Sequence, residues 1–181
     1  MSEQTRRDFL FLLTGLTGAV GLSAVAWPFI RQLPPDESVL ASSSVEVDLS
    51  GIEEGMSVTV KWRGQPVVIH NRTAKEIAEA RAIELSILRD RQVRNPNLES
   101  EEDATDFARS AGKGHENWLI INLCTHLGSV TLGQSGKFGG WLCPCHGSVY
   151  DTVGRVRSGP AHYNLAIPPY RFLSDTLLEI G

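Results

Sequence analysis

The chain has 181 residues, a formal net charge of −4 and 41% apolar residues, enough for one folded domain with an appendage. Its Lys and Arg are scattered rather than striped, which removes the electrostatic footprint of a nucleic-acid binder. All three cysteines lie between positions 124 and 145, clustered as one site rather than spread as a disulfide scaffold.

Residues 1–8 form a short polar N-terminus, and Phe9 to Ile30 follow as a run of 22 without a charged side chain. At about 1.5 Å per residue that run crosses the roughly 30 Å hydrocarbon core of a bilayer, so residues 9–30 are predicted to be a transmembrane helix. Before it, Thr5-Arg6-Arg7-Asp8-Phe9-Leu10 resembles the twin-arginine export signal of bacteria. The two arginines also obey the positive-inside rule, which keeps the N-terminus cytoplasmic and sends the rest of the chain to the periplasmic side of the inner membrane. Ala24-Val25-Ala26 has the small-residue pattern of a cleavage site, so a removed signal peptide is the competing reading. Against it, the apolar run continues through Trp27, Pro28, Phe29 and Ile30, and Trp27 suits the far membrane interface.

Residues 31–44 are polar and small after Pro34 and Pro35, and fully extended they would reach about 46 Å. They read either as a flexible hinge or as a passive spacer.

Residues 45–181 are predicted to form one head, mainly β. Alternation marks antiparallel strands at Val45–Leu49 and Val58–Trp62, with a turn at Arg63-Gly64-Gln65-Pro66 and a further strand at Val67–Ile69. A short helix starts at Thr73, where Thr73-Ala74-Lys75-Glu76 has capping-box spacing. Asn95 to Gly114, rich in Glu and Asp and poor in large apolar groups, reads as a solvated excursion. Strand signals resume at Trp118–Ile121, Phe138–Leu142, Val153–Val156, Tyr170–Leu173 and Leu177–Ile180. His162 reads as a solvated loop histidine, and so do His70 and His115.

Two short clusters carry the chemistry, Cys124-Thr125-His126 and Cys143-Pro144-Cys145-His146, separated by a glycine-rich stretch and each opening just after a predicted strand. That places them on two loops at the end of a rigid sheet. Two cysteines and two histidines alone leave a four-ligand structural zinc site open.

The longer boxes Cys124-Thr125-His126-Leu127-Gly128 and Cys143-Pro144-Cys145-His146-Gly147-Ser148 closely resemble the two cluster-binding boxes of Rieske proteins. With its anchor, the chain resembles the Rieske iron–sulfur subunit of the bacterial cytochrome bc1 complex, most specifically between Leu123 and Pro160, so the cluster-binding loops are expected at about 123–160. The resemblance implies an antiparallel β-sandwich head with a small cluster-binding subdomain and one Rieske-type [2Fe-2S] cluster. Cys124 and Cys143 would hold one iron, and His126 and His146 the other. Neutral imidazoles in place of two thiolates leave such a cluster less negative, so it accepts an electron more readily. Ser148 and Tyr150 match the family's hydroxyl donors to cluster and cysteine sulfur. The resemblance also makes His146 and His126 the catalytic candidates, His146 meeting ubiquinol and accepting its proton, and Leu127 a shield at the docking surface. The implied function is proton-coupled electron transfer from ubiquinol to cytochrome c1, as a subunit of the proton-translocating ubiquinol-cytochrome c reductase. Cytochrome b, cytochrome c1, quinone and membrane would be partners in a dimeric complex. A soluble Rieske ferredoxin or oxygenase module is the alternative from another class, and a zinc-stapled, membrane-anchored binding domain is a third.

The chain departs from the family pattern at two places. Ser129 stands where the first box normally ends in a cysteine bonded to the position of Cys145, so the usual loop-to-loop disulfide cannot form. His162 stands where the third, proline-bearing loop begun by Gly159-Pro160 usually has a second proline, which predicts a looser cover over the cluster.

Overall fold

The computed structural model describes residues 3–33 and 43–181, which belong to two compact units, an N-terminal helix and a head. Most of the predicted hinge, residues 34–42, lies outside the described residues.

Helix α1 (Glu3–Arg31) is longer than its apolar span and takes in both arginines of the export motif. Phe9, Leu12, Val20, Leu22 and Phe29 are all exposed, and a helix that presents large apolar groups all round is matched to a lipid environment. Its hydroxyls add no unpaired polarity: Thr14, Thr17 and Ser23 donate to the carbonyls of Leu10, Leu13 and Ala19, the satisfaction a bilayer demands.

The head begins with β1 (Val45–Asp48), β2 (Ser57–Trp62) and β3 (Gln65–Asn71). The turn between β2 and β3 is tighter than expected. Trp62 pairs with Gln65, and Arg63 and Gly64 both take positive φ, the two-residue geometry that matches strand twist. Helix α2 (Ala74–Arg81) starts as predicted, with a complete capping box between Thr73 and Glu76. After it come the single-turn helix α3 (Asp106–Arg109) and β4 (Trp118–Ile121). The remaining strands are β5 (Leu132–Gly133), β6 (Trp141–Cys143), β7 (Ser148–Tyr150), β8 (Val156–Ser158), β9 (Tyr170–Ser174) and β10 (Leu177–Ile180).

Among the described residues the strands pair antiparallel in three sheets, ordered β1-β10-β9, β2-β3-β4 and β5-β6-β7-β8. Leu49, Trp62, Val67, Ile69, Trp118, Ile120, Leu178 and Ile180 form one core between the first two sheets. Val68, Leu119 and Ile121 point to the other face of the middle sheet and join Trp141, Tyr150, Val153, Val156 and Leu165 in a second core. A sheet covered on both faces has no solvent side, which explains the continuous apolar runs of β3 and β4. The sandwich architecture thus holds, with the β5–β8 sheet as the subdomain beyond it.

Three expectations need correction. Of the predicted strand Val153–Val156, only Val156 is in a strand, opening β8; Val153 to Arg155 are the turn before it, because the Asp151 carboxylate accepts the N–H groups of Val153 and Arg155 and folds the chain there. The 95–114 segment is not a solvated excursion: Asn95, Ala104, Asp106, Ala108, Arg109 and Ser110 are buried. Fully buried Arg109 donates to the carbonyls of Val153 and Leu165 at 2.9 and 2.7 Å, and Arg155 reaches those of Ala104 and Ala80 at 3.1 and 2.9 Å, so two guanidinium groups help to fasten the segment. His70 is 2% exposed, with Nδ1 2.8 Å from the Ser57 hydroxyl and Nε2 3.1 Å from Glu76. His115 is half-buried and stacks on Phe172, ring centres 3.7 Å apart.

Candidate metal centre

Both candidate ligand loops close in the same way. The N–H of Gly128 donates to the carbonyl of Cys124 at 2.9 Å, and the N–H of Gly147 to that of Cys143 at 3.0 Å. Each loop is therefore a five-residue turn that begins on the cysteine and ends on a glycine with φ of +76° or +72°. A side chain at either glycine would meet no neighbour, so the left-handed backbone alone accounts for glycine there. β4 delivers the first turn, and the second starts on the last residue of β6.

The turns bring the four residues together in two pairs. Cys124 and Cys143 are both 1% exposed and belong to the same buried cluster. The rings of His126 and His146 lie edge-to-face with centres 4.8 Å apart, His126 half-buried and His146 exposed. Leu127 is 72% exposed beside them. The sulfur pair faces inward and the imidazole pair outward.

The surroundings fit a bound metal group. Nδ1 of His126 is buried and has no hydrogen-bond partner, an arrangement that costs about 1–3 kcal/mol unless a ligand or metal satisfies it. The Cys143 thiol is held below its ordinary value: burial pushes it up, but hydrogen bonds from the Ser129 hydroxyl, the Cys145 N–H, the Cys124 side chain and the His146 N–H outweigh burial. A thiol disposed toward its thiolate is disposed toward metal ligation. Among the described residues no group of three His, Cys, Asp or Glu side chains converges as on a single ion.

The Tyr150 hydroxyl lies 3.2 Å from Cys124 Sγ, as expected. Burial, foremost, and its bond with Cys124 push the Tyr150 phenol well above its ordinary value, so it remains a hydrogen donor. Ser148 is fully buried, but its oxygen accepts the N–H of Ala161 at 3.1 Å and bonds to neither cysteine among the described residues. Its own hydrogen is what it has to offer a bound cluster.

The third loop, expected to be a looser cover, is hydrogen-bonded to the head at several points. Ala161 is bonded to Ser148, the Tyr163 carbonyl accepts the Thr125 hydroxyl at 2.6 Å, and the Gly159 carbonyl accepts from Arg89 at 2.7 Å. Asn164 anchors its far end through Asp90, Gln92 and Val156. The exposed His162 plays no part in this fastening. These anchors, together with Thr125, were missed in the sequence, where Asp90 and Asn164 stand 74 positions apart without any shared motif.

Cys145 is exposed and unbonded to sulfur. The Ser129 hydroxyl lies 3.3 Å from Cys143 Sγ.

The fold and the four clustered side chains define a Rieske protein: a family model described as the Rieske [2Fe-2S] domain matches residues 43–169. A second, described as the TAT signal of the ubiquinol-cytochrome c reductase Fe-S subunit, matches residues 1–36. The chain is 51% identical over 180 residues to the ubiquinol-cytochrome c reductase iron-sulfur subunit of Rickettsia felis, covering 99% of this chain and 94% of that one. It is 49% identical over 179 residues to the same subunit of Bradyrhizobium diazoefficiens, with 98% and 94% covered. A solved structure titled hyperthermophilic respiratory Complex III shares the fold, with a TM-score of 0.50, 24% identity and 92% and 97% of the two chains covered. The chain belongs to the family of ubiquinol-cytochrome c reductase iron-sulfur subunits. It is accordingly a membrane-anchored electron-transfer subunit with a Rieske-type [2Fe-2S] cluster.

Proposed function

We propose that Cys124 and Cys143 hold one iron of the cluster and His126 and His146 the other, and that the chain takes an electron from ubiquinol and delivers it to cytochrome c1. The carrying observation is the gradient across the site, from two buried sulfurs to an exposed His146. When bound, the cluster supplies a one-electron acceptor at the tip of the head. His146 receives the quinol hydroxyl's hydrogen bond on its exposed ring nitrogen and takes up the proton. Leu127 lines the apolar surface on which the quinone site closes and keeps water away, and Tyr150 stabilises the added charge through Cys124.

The subunit works beside cytochrome b and cytochrome c1 in a dimeric complex, with α1 spanning the inner membrane, the N-terminus cytoplasmic and the head periplasmic. Residues 31–44 act as the hinge that carries the head between quinol and haem. The test is ubiquinol:cytochrome c turnover in membranes from cells lacking the chain, complemented with wild type or His146→Gln. Wild type is expected to restore turnover and His146→Gln, which removes an iron ligand together with the proton acceptor, to lose more than about 100-fold. Full turnover with His146→Gln would refute the role given to His146.

A further inference from the structure

Each buried cysteine sulfur at the centre carries one hydroxyl, one from strand β7 and the other from the end of the first ligand loop. Tyr150 serves Cys124 at 3.2 Å, and Ser129 serves Cys143 at 3.3 Å. Ser129 also accepts the N–H of Cys124 on its own carbonyl at 2.8 Å. One residue of the first loop is thus bonded to the leading cysteine of both loops.

We propose that Ser129 is a positioning residue of the metal centre: its hydroxyl donates to the Cys143 sulfur, ties the second ligand loop to the first, and favours the reduced cluster. The proposal rests on the assignment of Cys143 as a ligand. A ligating cysteine is a thiolate without a hydrogen, so of the two atoms only the serine oxygen can donate. A hydrogen bond to sulfur draws off negative charge, and the state with the extra electron gains more from it. The cross-loop bond starts at the position where the expected covalent link would start but ends on Cys143 instead of Cys145, which is exposed and free. The departure at position 129 is therefore a change of device rather than a loss.

The test uses full-length holoprotein with Ser129→Ala, Ser129→Thr and, as a control on the ligand assignment, Cys143→Ser. Visible and EPR spectra report the cluster, a redox titration its midpoint, and the rate of bleaching in chelator its retention. Ser129→Ala is expected to keep the spectrum, lower the midpoint by up to a tenfold shift of the redox equilibrium (about 59 mV for one electron) and bleach several-fold faster. Ser129→Thr, which keeps the hydroxyl, restores both. If Ser129→Ala assembles no cluster while Ser129→Thr does, the positioning role is upheld. An intact spectrum with unchanged midpoint and bleaching in Ser129→Ala overturns the proposal, and so does cluster loss in both serine variants, which would mean a steric rather than a hydrogen-bonding role. A native spectrum in Cys143→Ser would instead refute the ligand assignment, whatever Ser129 does.

Discussion

At the scale of single residues, the hydroxyl on Cys124 makes the sharpest claim. Tyr150 is buried, held as a neutral phenol and 3.2 Å from the sulfur, so removing its hydroxyl deletes the donor to Cys124 along with the acceptor of the Thr125 N–H. Tyr150→Phe is expected to lower the midpoint potential by on the order of 60 mV, a tenfold shift for a one-electron couple, with the spectrum retained; redox titration of the variant checks it. Cys145, exposed and without a disulfide, is expected to take one equivalent of a thiol reagent in the folded holoprotein while the two buried cysteines stay unlabelled, as mass spectrometry would read. The ligand quartet was legible in the sequence because its residue types and spacing have few other uses. The contact of Ser129 with Cys143 was not, since the side chain of one loop chooses between Cys143 and Cys145 only once both turns are folded.

At the scale of elements, α2 gives the clearest link from sequence to stability. Its capping box satisfies backbone N–H groups at both Thr73 and Glu76, and Thr73→Ala is expected to cost about 1 kcal/mol in chemical denaturation. The Glu76 carboxyl lies below its ordinary value of 4.5: burial pushes it up, but the Thr73 N–H, the attraction of His70 and the Thr73 and His70 hydrogen bonds outweigh burial. A carboxyl depressed in the folded state contributes stability that is full above pH 4.5 and is lost as the pH falls through the lower folded value. Glu76→Gln is therefore expected to be less stable than wild type at pH 7 and to lose less stability on acidification below that point. Denaturation midpoints between pH 7 and 3 would show whether the two curves converge. The alternating strands and this helix were readable because one local pattern dictates each. β7 and β8 were not, because three-residue strands hold no period, and a side chain of Asp151 places the turn between them.

At the scale of the whole molecule, the head is three layers whose middle sheet is buried on both faces, with the metal-bearing subdomain at one side. The 95–114 segment escaped sequence reading because charged residues signal solvent, whereas here Arg109 is buried against carbonyls from three segments. A buried guanidinium that loses its place leaves those acceptors unpaired, so Arg109→Met is expected to destabilise the head by about 3–5 kcal/mol, measured by chemical denaturation. The hinge assignment for residues 31–44 has its own consequence: stiffening it with prolines is expected to slow ubiquinol:cytochrome c turnover in the assembled complex while leaving the cluster spectrum unchanged.

The central claim, that two cysteines and two histidines of these loops hold a [2Fe-2S] cluster, is tested most directly by pulsed EPR on the reduced holoprotein. Two directly bound imidazole nitrogens should couple to the electron spin, with one coupling lost in each of His126→Cys and His146→Cys. A reduced cluster with no nitrogen coupling, or a colourless protein carrying zinc, would contradict the account.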